Sequence, residues 1–127
     1  MASILKVDEL RGIASAGDIT VTSEGGAATQ SLQQGLAKAW VQLIGTGTVS
    51  TLDSFNNSSI SDLSQGRYQT NFSNSMNNDD YAVTASDTFQ TSGYYSSTTS
   101  SHNIFCNGAV STPVDSTVSA TVHGDLA

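Results

Sequence analysis

The chain has 127 residues, of which 21 are serine and 15 threonine, while only 12% are charged. The net charge of −7 argues against a nucleic-acid partner, because phosphate backbones repel an acidic surface. Since the sequence has neither a basic cluster nor an apolar run of about 20 residues, we expect no membrane insertion.

Residues 1–35 combine several glycines with few apolar residues. Within them, the alternation in 18–23 predicts a short strand, and a short helix is predicted around 30–34. Such a segment cannot bury enough apolar surface to offset the conformational entropy it loses on folding. We therefore predict an extended N-terminal arm over 1–35, used for assembly or attachment, and a separate domain over 36–127.

The rest of the sequence has the pattern of short strands joined by polar turns. Segment 37–44 is apolar at both alternating sets of positions, which predicts a strand covered on both faces. Segment 67–72 alternates most clearly, with Tyr68 and Phe72 on one face, and a hairpin with a positive φ at Gly66 is predicted before it. The other predicted strands are 49–55, 58–63, 81–87, one near Phe89, 103–106 and 116–123.

Six to eight short strands with closely spaced turns predict an all-β domain, either an antiparallel β-sandwich or a small barrel. Its core is expected to collect the aromatic and β-branched residues at the alternating positions. The predicted core residues are Trp40, Val41, Phe55, Tyr68, Phe72, Tyr81 and Val83.

The residues that usually carry chemistry do not form a recognisable constellation. Cys106 is the single cysteine, so we expect a small buried residue instead of a disulfide or a nucleophile. His102 and His123 are far apart and lack metal-ligand spacing, and the pair Asp79 and Asp80 is typical of a turn. We therefore predict no enzymatic activity, no metal site and no cofactor.

A contact surface is predicted around two adjacent tyrosines. Tyr94 and Tyr95 lie in a hydrophilic stretch, and neighbouring residues of a strand face opposite sides. One ring is thus free to pack inside or between subunits, while the other remains exposed. Tyrosine offers a large contact area at a low entropy cost, so we expect Tyr94, Tyr95 and His102 to contact a receptor or partner.

Residues 35–86 resemble a module that recurs in structural proteins of tailed bacteriophages, notably in tail-fibre and tail-spike chains. The stretch reads GLAKAWVQLIGTGTVSTLDSFNNSSISDLSQGRYQTNFSNSMNNDDYAVTAS. The matching positions are Ala37 to Val41, Gly45 to Val49, Asp53 to Asn56, Ser59 to Asp62, Gly66, Tyr68, Asn71, Phe72, Met76 and Tyr81 to Val83. Gln42, Leu43 and Ile44 depart from the more aromatic pattern of the module.

The resemblance implies a non-enzymatic virion protein that is β-rich and commonly trimeric. We expect a short tail fibre or appendage that is made in the bacterial host cytoplasm and assembles as a homotrimer on the particle. Its partners would be copies of itself, other virion proteins, and a glycan or protein of the host surface. A capsid decoration protein on the head and a carbohydrate-binding module remain the alternatives.

Overall fold

The computed structural model of the chain divides into two compact units, Met1–Leu36 and Ala37–Ala127. Asp18 and Phe89, which the sequence places in or near two predicted strands, lie outside the described residues. The described residues are 4–15, 19–88, 91–108 and 112–127.

The first unit contains a short antiparallel hairpin and one helical turn. Strand β1 (Thr20–Thr22) pairs with β2 (Thr29–Ser31), and α1 (Leu32–Gly35) follows directly. The Ser31 hydroxyl caps the helix by accepting a hydrogen bond from the Gln34 N–H at 3.4 Å. None of the described residues of this unit is buried, so these residues form no core.

Apolar side chains of the first unit are exposed instead of packed. Those with the largest exposed fractions among the described residues are Ile4, Leu5, Leu10 and Ile13. The strand that the sequence predicts over 18–23 and the predicted short helix both have counterparts here, in β1 and α1.

The second unit contains eight strands within its described residues, in two antiparallel sheets of four. They are β3 (Ala39–Ile44), β4 (Ser50–Phe55), β5 (Asn57–Ser64), β6 (Arg67–Phe72), β7 (Ala82–Asp87), β8 (Thr91–Thr98), β9 (Ser101–Asn107) and β10 (Thr117–His123). One sheet, here called the β3 sheet, has the order β4-β3-β10-β7, and the other, the β6 sheet, has the order β5-β6-β9-β8. The described strands form an all-β sandwich without a closed barrel, which confirms the first of the two predicted architectures.

The core lies between the inner faces of the two sheets. Val41, Leu43 and Val118 from the β3 sheet belong to the same buried cluster as Tyr68 and Ile104 from the β6 sheet. A second buried cluster consists of Ala39, Phe72, Met76, Tyr81 and Val122, with Val83 partly buried against it. The expected core positions of Val41, Tyr68, Phe72 and Tyr81 are therefore confirmed, and Val83 lies at the edge.

Trp40 and Phe55 were expected in the core, and this prediction is wrong. They are cross-strand partners on the outer face of the β3 sheet, where 37% of Trp40 and 52% of Phe55 are exposed. The apolar character of both faces of β3 predicts coverage on both sides, whereas a two-sheet sandwich covers only one. The inner face of β3 therefore carries Val41, and its outer face leaves the tryptophan at the surface.

The chain passes from one sheet to the other at Asn56, between β4 and β5. Its φ of 53° lies in the left-handed region, which asparagine tolerates better than most residues. Its side-chain amide donates to the Lys38 carbonyl at 3.1 Å and to the Asn74 carbonyl at 3.0 Å. Its Oδ1 accepts from the Asn74 N–H at 2.7 Å, so one side chain fixes the corner of the sandwich.

The predicted hairpin between β5 and β6 is confirmed. Gly66 has a φ of 64°, and its N–H donates to Asp115 Oδ1 at 2.8 Å. A Cβ at this position would lie 2.5 Å from the Cys106 carbonyl oxygen, so the close approach of the backbone requires glycine. The Tyr68 hydroxyl donates to the same Asp115 oxygen at 3.1 Å, which ties the hairpin to the core.

Candidate interaction surfaces

The residues that bear reactive or ionisable groups are mostly separated from one another. The described part of the chain holds no group of three or more His, Cys, Asp or Glu side chains placed to share a metal ion. Nor does any helix within residues 4–15, 19–88, 91–108 or 112–127 have the length and apolar character needed to cross a bilayer. The exposed aromatic residues Trp40, Phe55 and Tyr95 instead lie on the outer faces of the two sheets.

His102 was expected to contact a receptor or partner, and this expectation is wrong. Its position on β9 faces inward, and only 2% of the residue is exposed. Its Nδ1 lies 2.8 Å from the Thr70 hydroxyl oxygen on the neighbouring strand, and its ring centroid lies 5.4 Å from that of Phe72. Burial lowers the pKa of the imidazole to about 4, so His102 is neutral at physiological pH and serves the packing of the core.

Cys106 is also buried on the inner face of β9 and is a free thiol. Burial, together with the charge and hydrogen bond of Asp87, raises the pKa of the thiol to about 12. The reactive form of cysteine is the thiolate, so the sulfur is protonated and inert at neutral pH. This agrees with the small buried residue that the sequence predicts.

The most distinctive exposed group lies on the outer face of the β6 sheet and consists of Arg67, Tyr95 and Phe105, here called the Arg67 cluster. Arg67 and Phe105 are cross-strand partners on β6 and β9. The Arg67 guanidinium carbon lies 5.3 Å from the Tyr95 ring centroid and 5.1 Å from that of Phe105. These distances fall in the range of cation–π attraction, so the two rings fix the direction of the arginine.

The two tyrosines of β8 differ in their positions. The register of β8 against β9 shifts between Tyr94 and Ser96, so Tyr95 lies in a β-bulge. Its ring centroid is 6.4 Å from that of Phe105, while 47% of Tyr95 remains exposed. Tyr94 is in register with the buried Ile104 and is 44% exposed. Both tyrosines are available to a partner, and the bulge places Tyr95 in the Arg67 cluster.

Phe105 covers a glycine on the neighbouring strand. Gly93 is its cross-strand partner on β8, and a Cβ at Gly93 would lie 3.0 Å from the phenylalanine ring. The missing side chain therefore lets the ring lie close to the backbone of β8. This contact gives the aromatic part of the Arg67 cluster a rigid support.

Among the described residues, the charge of Arg67 has no acidic partner nearby. Of the four basic residues, Lys6 and Arg11 belong to the first unit, and Lys38 is buried. Arg67 is thus the one Lys or Arg of the second unit that solvent reaches. Across the described residues, no carboxylate lies within 4.0 Å of its guanidinium, and none of their oxygens accepts a hydrogen bond from it. Within the described residues of the acidic second unit, this leaves a single solvent-accessible positive centre, on the outer face of the β6 sheet.

Amide and hydroxyl side chains continue the outer face beside the Arg67 cluster, and we call them the amide row. Its members are Ser59, Gln69, Asn71 and Asn103. The Gln69 side-chain amide donates to Asn71 Oδ1 at 2.7 Å, and the Asn71 amide donates to the Ser59 hydroxyl at 3.0 Å. The Asn103 Oδ1 is buried and has no hydrogen-bond partner among the described residues. An unpaired buried carbonyl costs about 1–3 kcal/mol, so Asn103 brings to the amide row an acceptor that the described residues leave unused.

The β3 sheet presents a different outer face. Trp40 and Phe55 lie opposite each other, and Leu52, at the β-bulge of β4, is 52% exposed. Gln42 and Asp53 form the next cross-strand pair on this face. The aromatic pair is therefore an apolar surface with a polar neighbour, which is typical of a protein contact.

Arg67 and Phe105 were not singled out in the sequence. The alternation in 67–72 puts Arg67 on the face opposite Tyr68 and Phe72, but nothing in the sequence pairs it with Phe105. The usable signal is that Phe105 alternates with His102, Ile104 and Cys106 in a strand whose inner positions are already filled. The pairing of the half-buried Phe105 with Arg67 emerges only once the β6–β9 register is known.

The chain was compared with protein-family models, curated proteins and solved structures. No protein-family model, no curated protein and no solved structure matches the chain.

Proposed function

We propose that the chain is a non-enzymatic structural protein of a bacteriophage particle, a short tail fibre or appendage that assembles as a homotrimer and contributes to host attachment. The proposal is supported by the structural roles of the positions that resemble the phage module. Asn56 holds the corner between the sheets, Gly66 allows the hairpin, and Met76 and Tyr81 lie in the core. The resemblance therefore falls on residues that build a framework.

The outer faces of the sandwich support a function based on contact. Inside the second unit, the imidazole of His102 and the thiol of Cys106 are buried, and burial keeps both groups in their neutral forms. The exposed Trp40–Phe55 pair and the Arg67 cluster are both on sheet faces that a second molecule can approach. Such surfaces suit binding, in which repeated weak contacts add up to a stable attachment.

We assign the copy-to-copy contact to the Trp40–Phe55 face. Exposed aromatic residues contribute most of the energy in many interfaces, because they bury a large area when a partner excludes water. A ring of three subunits needs one such face to meet a different face of the next copy. The arm, with its exposed apolar residues, is available to a neighbouring subunit or another virion protein.

The oligomeric part of the proposal is tested by measuring the mass of the full-length chain with light scattering after size-exclusion chromatography. We expect about 40 kDa, three times the 13.2 kDa of one chain. Combined Trp40→Thr and Phe55→Thr substitutions should shift the mass toward the monomer, since threonine retains strand propensity without the aromatic area. Leu63→Thr removes exposed apolar area from β5 of the other sheet in the same way: an unchanged mass would show that the contact does not depend on Leu63, and a lower mass would show that β5 belongs to the second face of the contact. A wild-type monomer at all accessible concentrations contradicts the trimer.

The role of the arm is tested by deleting residues 1–30. We expect this variant to fold, because the two sheets contain none of the deleted residues, but to lose assembly in solution or incorporation into particles. Unchanged mass and unchanged incorporation would exclude the arm from assembly.

A further inference from the structure

We infer that the Arg67 cluster and the adjoining amide row form a binding site for a carboxylate-bearing glycan. This inference rests on the proposed function in host attachment and gives that attachment a site and a ligand class. The contact surface expected from the sequence was Tyr94, Tyr95 and His102, whereas the inferred site is centred on Arg67 and Phe105. Its ligand chemistry follows from three properties of the surface.

The first property is the charge of Arg67. The guanidinium is permanently protonated and carries a fork of donors that matches a carboxylate in two parallel hydrogen bonds. Cation–π contacts with Tyr95 and Phe105 fix its position without using those donors on an acidic residue. The second unit has seven aspartates against Lys38 and Arg67, so its only favourable contact for an anionic ligand lies at the solvent-accessible Arg67.

The second property is the combination of aromatic area and neutral polar groups. The exposed part of the Tyr95 ring offers an apolar surface to the C–H face of a sugar. Beside it, Gln69, Asn71 and Asn103 offer amide donors and acceptors at the spacing of neighbouring strands. Sugars present closely spaced hydroxyl groups that both donate and accept, so a row of amides is a suitable counterpart.

The third property is the unpaired carbonyl of Asn103. Its Oδ1 finds no partner among the described residues, although it is buried against its neighbours. A rotation of this amide toward the surface would let it accept a hydrogen bond from a ligand hydroxyl. A glycan thus satisfies a group that the fold leaves unsatisfied.

An acidic peptide is the competing ligand for an arginine on a surface. The observations favour the glycan, because the surroundings of Arg67 are amides and hydroxyls, and no second cation of the second unit is exposed to bind another carboxylate. A surface site with one charge is expected to bind weakly, and several copies on one particle would raise the effective affinity.

The test is a nuclear magnetic resonance titration of the full-length chain with two acidic sugars and their neutral counterparts. The probes are a short oligogalacturonate, the same oligosaccharide after carboxyl reduction, sialyllactose and lactose. We expect at least one acidic sugar to shift the Arg67 Nε–H signal and the ring signals of Tyr95 and Phe105. The reduced oligosaccharide and lactose should bind at least about tenfold more weakly, and added salt should lower the affinity for the acidic sugar.

Variants separate the site from the rest of the surface. Arg67→Gln and Tyr95→Ala should each lower the affinity for the acidic sugar by about tenfold or more. Arg67→Lys keeps the charge and loses the fork of donors, so its affinity should lie between those of the wild type and Arg67→Gln. Arg11→Gln is the matched control, because the same change is made at an exposed arginine of the first unit. Amide spectra of each variant should stay dispersed, which shows that the sandwich is intact.

Three results would overturn the inference. These are no shift at the cluster with either acidic sugar up to about 10 mM, equal binding of acidic and reduced sugars, or tighter binding of a tetraglutamate peptide. The outcome is separable from the proposed function. If particles contain the chain but Arg67→Gln does not weaken sugar binding, the inferred site is wrong and the proposed function stands. If particles lack the chain, the proposed function is wrong, whatever the sugar titration shows.

Discussion

Acidification is expected to destabilise the second unit through His102. The folded protein holds its imidazole neutral, with a pKa of about 4, while the unfolded chain has the ordinary value near 6.5. Between these values the unfolded state binds a proton that the folded state excludes. The stability from the neutral buried ring is therefore complete above pH 6.5 and is lost as the pH falls toward 4.

The magnitude follows from the two pKa values. The full difference corresponds to about 3 kcal/mol, of which about 2 kcal/mol should be lost between pH 7.5 and pH 5. Urea denaturation at these two pH values measures the loss, with far-ultraviolet circular dichroism reporting strand content. All samples are compared at one protein concentration, because subunit association would also contribute to stability.

His102→Gln separates this effect from the titration of the carboxylates. The glutamine amide does not titrate and is able to bond the Thr70 hydroxyl, so this variant should lose about 2 kcal/mol less than the wild type on acidification. His123→Gln removes the exposed histidine and should behave as the wild type. An identical loss in the wild type and His102→Gln would refute a buried neutral imidazole.

Three further predictions concern the corner, the core and the thiol. Asn56→Ala should lower the free energy of unfolding by about 2–4 kcal/mol, because it removes four hydrogen bonds and leaves alanine in a left-handed conformation. Chemical denaturation measures this loss, and a value below about 0.5 kcal/mol would contradict the role of Asn56 at the corner. Gly45→Ala should destabilise by about 3 kcal/mol or more in a thermal melt, since its Cβ would overlap the Tyr68 hydroxyl, and an unchanged melting temperature would disprove that close approach. Cys106 should react with an aromatic disulfide at least about 100-fold more slowly in the native protein than in urea, and rapid stoichiometric labelling of the native chain would show an accessible thiolate.

The strands were predictable where the alternation of residues reports one buried face. β6 and β10 show this best, since Tyr68 and Phe72 in one and Val118 and Val122 in the other are buried as their patterns predict. The hairpin at Gly66 was equally accessible, because a positive φ favours glycine.

The sequence was misleading about which face of a strand some residues occupy. Trp40 and Phe55 are large and apolar, so propensity places them in the core, yet the register of β3 and β4 turns both outward. His102 was expected to contact a receptor or partner, but it is buried, and the Thr70 hydroxyl lies within hydrogen-bond distance of its ring inside the core. Both errors concern pairing between strands, which local patterns do not determine.

The candidate site was predictable only in part. An exposed tyrosine beside Gly93 could be expected from composition, and both Tyr94 and Tyr95 are exposed. The approach of Arg67 to Tyr95 depends on a bulge in β8 and on the order of three strands, since β9 lies between their own strands. The alternation in β9 indicates the outward face of Phe105, but the meeting of Phe105 with Arg67 and Tyr95 is a property of the tertiary structure.

The central claim, that this sandwich acts as part of a phage particle through its sheet faces, is tested most directly by locating the chain in particles. Cryo-electron microscopy of particles purified from the host that carries this gene should show threefold density that accommodates three sandwiches on the tail. Density on the head instead would assign the chain as a capsid decoration protein. Particles that contain no copy of the chain, confirmed by mass spectrometry of the same preparation, would contradict the claim.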